Sequence, residues 1–216
     1  MSLTPSVVIE VEDVAASRGL AEMTPEIQSV LVMALNKIAA QSRTKFDRRI
    51  REEVAFPASY LRPSAKRLWV RDRATKTKLE AIIQGRGRAT SLARFTKAKP
   101  LAKGQRRNKP IEVEVSPGRR IALKRAFLVN LNSGDSKPDG LKNANVGLAV
   151  RTNGEKPKGA YKPKKLSKNA WLLYGPSVDQ TLIAATGGGL ALEMSDQALD
   201  ALNAEIDRLL VAKGIV

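Results

Sequence analysis

Side chains able to do covalent or acid–base chemistry are scarce and poorly spaced in this sequence. Cysteine and histidine are both absent from its 216 residues. That removes thiolate nucleophiles, the commonest metal ligands and the side chain that titrates nearest neutrality. Glu52 and Glu53 are adjacent within a helical pattern, so their carboxylates diverge by about 100° and do not converge on one reacting atom. The glycine runs GRGR at 85–88 and GGG at 187–189 lack the spacing of a phosphate-cradling loop. No Lys, Ser or Tyr is singled out by its neighbours. The expectation is a protein that is not an enzyme and holds neither metal nor cofactor.

What remains is the chemistry of charge. Trp69 lies among Arg67, Arg71 and Arg73, and Phe95 lies between Arg94 and Lys97. Exposed aromatics in that setting would stack the bases of a single strand. Aromatic residues make up only 4% of the chain, however, and packing in a core is the commoner fate of each. Lys and Arg without such platforms bind a nucleic-acid backbone and ignore its sequence.

The net charge of +17 is unevenly spread. Residues 1–40 hold 2 basic and 5 acidic side chains, net −3; residues 41–110 hold 21 and 5, net +16. Residues 111–168 hold 13 and 5, net +8, and residues 169–216 hold 2 and 6, net −4. Acidic ends thus flank a strongly basic middle, which calls for a polyanion or an acidic protein surface as partner. Ten residues of the first basic stretch make the expected DNA-facing set: Arg43, Lys45, Arg48, Arg49, Arg51, Arg67, Arg71, Arg73, Arg86 and Arg88.

The element that must carry the first of these runs from Thr24 to Val54. Thr24 suits an N-cap, Pro25 the first helical position and Glu26 the positive end of the helix dipole. Ile27, Val30, Leu31, Ala34, Leu35, Ile38, Phe46 and Ile50 recur at helical spacing, which predicts a helix of about 25 to 30 residues. Its first half would sit in a core and its second half carry positive charge outward. Before it, residues 6–14 alternate as a strand. After it come a short helix over Ser64–Leu68 and strands near 69–73, 77–84, 111–115, 120–131 (broken near Lys124) and 146–152. The 111–115 and 120–131 runs would pair as a hairpin. Polar, basic loops are expected near 97–110, 132–144 and 153–168, the first of them disordered when free. A last helix, capped by Ser195, would present Ala198, Leu199, Leu202, Ile206, Leu209 and Leu210 on one face.

The fold class predicted is therefore α+β: a long N-terminal helix, an antiparallel β-sheet with long basic loops, and a C-terminal helix. Residues 1–186 would form one domain, and 187–216 a hinge with the last helix. With no basic leader before an apolar run, no long apolar stretch and no cysteine, the sequence reads as that of a soluble protein of a reducing compartment, without a membrane span.

The order of several motifs resembles the minor tail protein Z family, the tail completion proteins of long-tailed phages. An A-x-N-[KR]-[IV]-A helix motif is matched by Ala34, Asn36, Lys37, Ile38 and Ala39. A basic region with Arg43, Arg48 and Arg51 follows, ahead of Pro57–Leu61. An Ala-Phe strand step falls at Ala126–Phe127, a strand ending in Arg at LAVRT (148–152), and a G-P-S-V element at Gly175–Val178. The chain departs from the family in KNAWLLYGPSV, which lacks a proline just before that element. The resemblance implies a structural virion protein made in the host cytoplasm and placed at the head-proximal end of the tail, in the neck. It would form a ring of its own copies, with six the simplest number, that joins tail to head and engages the end of the double-stranded DNA. Neighbours would be the tail terminator, the tail tube or head–tail connector proteins. Ala126, Phe127, Gly175 and Pro176 would serve a subunit contact or a turn of the fold. The alternative class is a sequence-nonspecific nucleic-acid-binding protein of ribosomal or nucleoid type, which the pI near 10.4 also suits.

Overall fold

The computed structural model describes residues 6–10, 24–101, 105, 108–131, 145–157, 161–186 and 190–214; at 6–10, 190–199 and 202 only the backbone is described. The expected loop 132–144, the hinge at 187–189 and parts of the 97–110 and 153–168 segments lie outside these residues. The architecture is α+β: one strand and a long helix come first, further antiparallel strands follow, and two helices come last. Two compact units are present, each discontinuous in sequence. Unit 1 is Met1–Ile50, Ser59–Gly87 and Val178–Val216; unit 2 is Arg51–Ala58 and Arg88–Ser177. This division differs from a single domain of residues 1–186 followed by a separate helix.

Unit 1 is built on helix α1, Pro25–Glu53, of which residues up to Ile50 belong to it; at 1.5 Å per residue the helix is about 43 Å long. Thr24 caps it: the Ile27 amide donates to Thr24 Oγ1 at 3.5 Å and the Gln28 amide to the Thr24 carbonyl at 3.1 Å. Glu26, in the first turn, has its carboxyl held below the usual range by a backbone amide and by the Thr24 hydroxyl. The buried stripe runs through Val30, Ala34, Leu35, Ile38, Ala39, Ser42, Arg43, Phe46 and Ile50. Against its first half packs the C-terminal helix, with Val30, Ala34, Leu35, Ile38, Ala74 and Leu209 forming one buried cluster.

A three-stranded antiparallel sheet completes the unit, in the order β1 (Ser6–Glu10), β3 (Glu80–Gly85), β2 (Leu68–Asp72). Ala81, Ile82 and Ile83 of the central strand are all buried, as a strand covered on both faces requires. Arg71 is the extra residue of a β-bulge between Val70 and Asp72. Gly85 ends β3 where a Cβ would stand 2.8 Å from the Cα of Asp179, so only glycine fits that approach.

Four sequence expectations change here. The short helix expected over Ser64–Leu68 is a 3-10 turn at Pro63–Ala65, ended by Lys66 at φ 46°. The strand expected at 77–84 begins only at Glu80, because residues 75–78 close a turn through the Thr75 and Lys78 backbones. A helix not foreseen, α2 (Val178–Thr186), buries Val178, Leu182 and Ala185. Its nine residues are fewer than a typical helix offers to pattern reading. The last helix, α3, spans Leu190–Ala212 and starts before Ser195, since LALEM is made of strong helix formers.

Unit 2 holds a five-stranded antiparallel sheet ordered β4 (Thr90–Ser91), β10 (Ala170–Gly175), β8 (Val146–Arg151), β7 (Ala126–Asn130), with β9 (Lys164–Ser167) also paired to β10. Strand β9 corrects the expected loop over 153–168, in which a hairpin turn at Lys168–Asn169 folds the lysine run back onto β10. The expected hairpin is present as β5 (Ile111–Ser116) and β6 (Arg119–Leu123), with Ile111 opposite Leu123 and Glu114 opposite Arg120. The chain breaks at Lys124–Arg125 and leaves for the other sheet as β7. A 3-10 turn at Leu92–Phe95 lies on β10: a Cβ on Gly175 would stand 3.2 Å from Phe95, which also packs on Phe56 at 5.4 Å between ring centroids.

Candidate polyanion-binding surface

Charge divides along the two units. Unit 2 carries 22 Lys/Arg against 7 Asp/Glu, net +15, whereas unit 1 carries 16 against 14, net +2. Nearly the whole excess of the chain is therefore on unit 2. All 16 Lys/Arg of unit 2 whose side chains are described are exposed. A field of this size on one body attracts polyanions and repels copies of itself.

The expected DNA-facing residues do not form one group. Arg43 is a correction: it is 8% exposed and holds the fold. Its Nε donates to the Leu68 carbonyl at 3.1 Å, an Nη donates to the Leu61 carbonyl, and its guanidinium lies 3.3 Å from Asp47. Lys45, Arg48, Arg49 and Arg51 are exposed on the second half of α1. Arg67 is half-buried, its guanidinium 4.1 Å above the ring of Tyr60. Arg86 is half-buried too, and its backbone serves the fold, donating to the Arg67 carbonyl and accepting from the Asp179 amide. Arg71 is exposed but spends its charge on Asp72, at 2.6 Å. Arg73 and Arg88 are exposed. Of the ten, only Arg51 and Arg88 belong to unit 2.

The aromatic platforms fare unevenly. Phe95 is 5% exposed and belongs to the core of unit 2, so it cannot stack a base. Trp69, on β2, is half-buried. The motif residues of α1 are likewise used by the fold: Asn36 both donates to and accepts from the Ala74 backbone at 3.1 Å, and Lys37 pairs with Glu205 at 2.6 Å. Ala126 and Phe127 open strand β7, and Gly175 closes β10. Pro176 follows it, half-buried.

A cleft of about 420 Å³ in unit 2 lies between the segment after Phe95 and strand β5, with Lys97, Lys109 and Arg120 on its walls. Its positive charge is answered locally. Glu114 accepts from the Gly118 amide at 3.0 Å and from Arg120 Nε at 3.0 Å. These bonds, with Lys97 nearby, hold its carboxyl below the usual range.

The basic residues that sequence reasoning passed over are Lys124 and Arg125 at the β6–β7 turn, Arg151 at the end of β8 and Lys168 at the β9–β10 turn, all exposed. No local pattern joins them; only the strand register does.

Among the described residues, no group of three or more acidic side chains is gathered as a metal site would require, and no helix is long and apolar enough to cross a membrane. No family model, no curated protein and no solved structure matches this chain.

Proposed function

We propose that this is a non-enzymatic structural protein that engages double-stranded DNA through its backbone, with unit 2 as the DNA-facing body. We further propose that it works in the virion, at the head-proximal end of a phage tail. There a ring of its own copies, six in the simplest case, meets tail and connector proteins and holds the DNA end. The charge partition carries the first part of this reading: +15 of the +17 resides on unit 2, with its described Lys and Arg side chains turned to solvent. The order of the Ala34–Ala39, Ala126–Phe127 and Gly175–Val178 motifs supports the second. Unit 1, nearly neutral and richer in apolar helix surface, is the better candidate for contacts between subunits, because like charge does not oppose its approach.

The test is duplex affinity of the full chain across about 50 to 200 mM salt. Affinity should fall steeply and equally for unrelated sequences. Replacing Arg48, Arg49 and Arg73 of unit 1 together by Gln should leave the slope of log K against log salt nearly unchanged. A salt-insensitive chain, or a slope lowered by about 2.7 in the triple variant, the full value of three phosphate contacts, would reject unit 2 as the DNA-facing body. Labelled protein absent from purified tails would reject the virion role.

A further inference from the structure

Strands β7 and β8 pair with Ala126 opposite Val150 and Phe127 opposite Ala149. Continuing that register by one residue sets Arg125 directly opposite Arg151, and the Arg151 amide donates to the Arg125 carbonyl at 3.1 Å. Opposed residues of an antiparallel pair have Cα atoms about 4.5 to 5.5 Å apart, and like charges there destabilise the ladder. Alternation places both arginines on the face that also carries Phe127 and Ala149. The Arg151 guanidinium sits 5.1 Å from the centre of the Phe127 ring, a cation–π contact that limits the rotamers of that arm.

The row continues across the sheet. Arg151 is opposite Ala170 of β10, and Ala170 is opposite Ser167 of β9, next to Lys168. The Thr152 amide donates to the Asn169 carbonyl at 2.9 Å and ties the end of β8 to that turn. With strands about 4.8 Å apart, Arg125, Arg151 and the Ser167–Lys168 corner span about 14 Å at one end of the sheet. Lys124 precedes the row. Elsewhere, Arg120 is paired with Glu114 across the β5–β6 ladder, and Arg71, at its bulge, with Asp72. Among the described residues no carboxylate pairs with Lys124, Arg125, Arg151 or Lys168. Glu155, exposed in the turn beyond Thr152, is the nearest acidic residue in sequence.

We propose that the opposed pair Arg125 and Arg151 is a phosphate clamp. It would hold one phosphate of a DNA strand between two guanidinium groups, with Lys124 and Lys168 taking its neighbours. A phosphate there turns the like-charge repulsion across the ladder into two charge-assisted bonds, and a guanidinium suits that geometry better than an ammonium. The proposal rests on the reading of unit 2 as the DNA-facing body and names where on that body the backbone is gripped.

The test compares two double variants of equal charge in the full chain: Arg125→Gln with Arg151→Gln, and Lys164→Gln with Lys165→Gln on exposed strand β9. Loss of two phosphate contacts should lower the salt slope by about 1.8, equivalent to about 30-fold in duplex affinity at 0.15 M salt. The lysine pair should cost no more than about fivefold, the value of one contact. Equal losses in the two variants would overturn the clamp and leave only a diffuse field. Inorganic pyrophosphate provides a second arm that does not depend on DNA. The Nε–H resonances of Arg125 and Arg151 should move together and saturate, and Arg151→Lys should abolish the joint response. If the wild-type chain fails to bind duplex, the proposed function falls while these resonances still judge the clamp. Shifts that never saturate, or that spread evenly over the exposed arginines, would overturn it.

Discussion

Arg43 offers the sharpest test of how charge is used in this protein, because a basic surface and a buried staple predict opposite outcomes. Replacing Arg43 with Met keeps an unbranched apolar stem and removes every donor. The carbonyls of Leu61 and Leu68 would lose their partner and Asp47 its guanidinium. A buried polar group left unpaired costs about 1–3 kcal/mol, and breaking one partner of a buried ion pair about 3–5 kcal/mol. These overlap, so the loss expected is about 3–5 kcal/mol. With a urea m-value of about 2 kcal/mol/M, the midpoint should fall by about 1.5–2.5 M. The natural probe is Trp69, which follows the Leu68 carbonyl that Arg43 holds. The chain has two tryptophans, and Trp171→Phe leaves Trp69 alone to report unit 1. Arg48→Met, on the same helix, is the matched control and should stay within about 0.5 kcal/mol. Below its lowered midpoint, Arg43→Met should bind duplex with the wild-type salt slope. A midpoint within about 0.5 M of wild type, or a slope reduced by about 0.9 as for a lost phosphate contact, would refute the assignment of Arg43 to the fold.

Other outcomes follow from the same geometry. Glu205 is bound by Arg208 and Lys37, which hold its carboxyl at about 2 instead of 4.5; since the folded value is the lower one, its contribution is complete above about pH 4.5 and disappears as pH falls toward 2. Urea titrations across that window should therefore show a steeper acid loss for wild type than for Glu205→Gln. Gly85→Ala would press a methyl within 2.8 Å of the Asp179 backbone and should cost about 1–3 kcal/mol by overpacking. Gly175→Ala meets only the Leu92 and Phe95 side chains, at 3.3 and 3.2 Å, and should cost less; thermal melts of the two variants check the order. Ring formation in tails predicts a closed oligomer in mass measurements of isolated tails, and a strictly monomeric chain there would exclude it.

The long helix was legible because its signals are local: a cap at Thr24, a proline at position 25 and an apolar stripe that recurs from Val30 to Ile50. The position of Arg43 was legible in principle as well. At 100° per residue, Ala39, Phe46 and Ile50 fall within about 20° of one direction and Arg43 within about 40° of it, while Arg48 points about 180° away. That angle, and not its place in a basic run, puts Arg43 among the buried residues of the helix. Helix α2 escaped for a different reason. Gly175 and Pro176 read as a turn, and the nine residues that follow from Val178 give too few turns for a period to show.

The arrangement of charge in unit 2 could not be read in this way at all. Lys124 and Arg125 end one sequence run, Arg151 ends another, and Lys168 lies in a third that looked like a loop. Strand register alone brings them to one end of a sheet. Register is set by which residues bury together; Leu148, Ala149, Leu172 and Leu173 supply that burial between β8 and β10, while residues 126–129 of β7 are half-buried. A one-residue slip of β7 against β8 would turn Arg125 and Phe127 to the face opposite Arg151. The pairing of β7 with β8 sets two arginines opposite each other at the end of this sheet. A sheet that needed only stability could have put a carboxylate opposite Arg151, as β5 puts Glu114 opposite Arg120. Among the described residues no carboxylate pairs with either arginine, and under the proposed clamp a DNA phosphate would supply that negative charge.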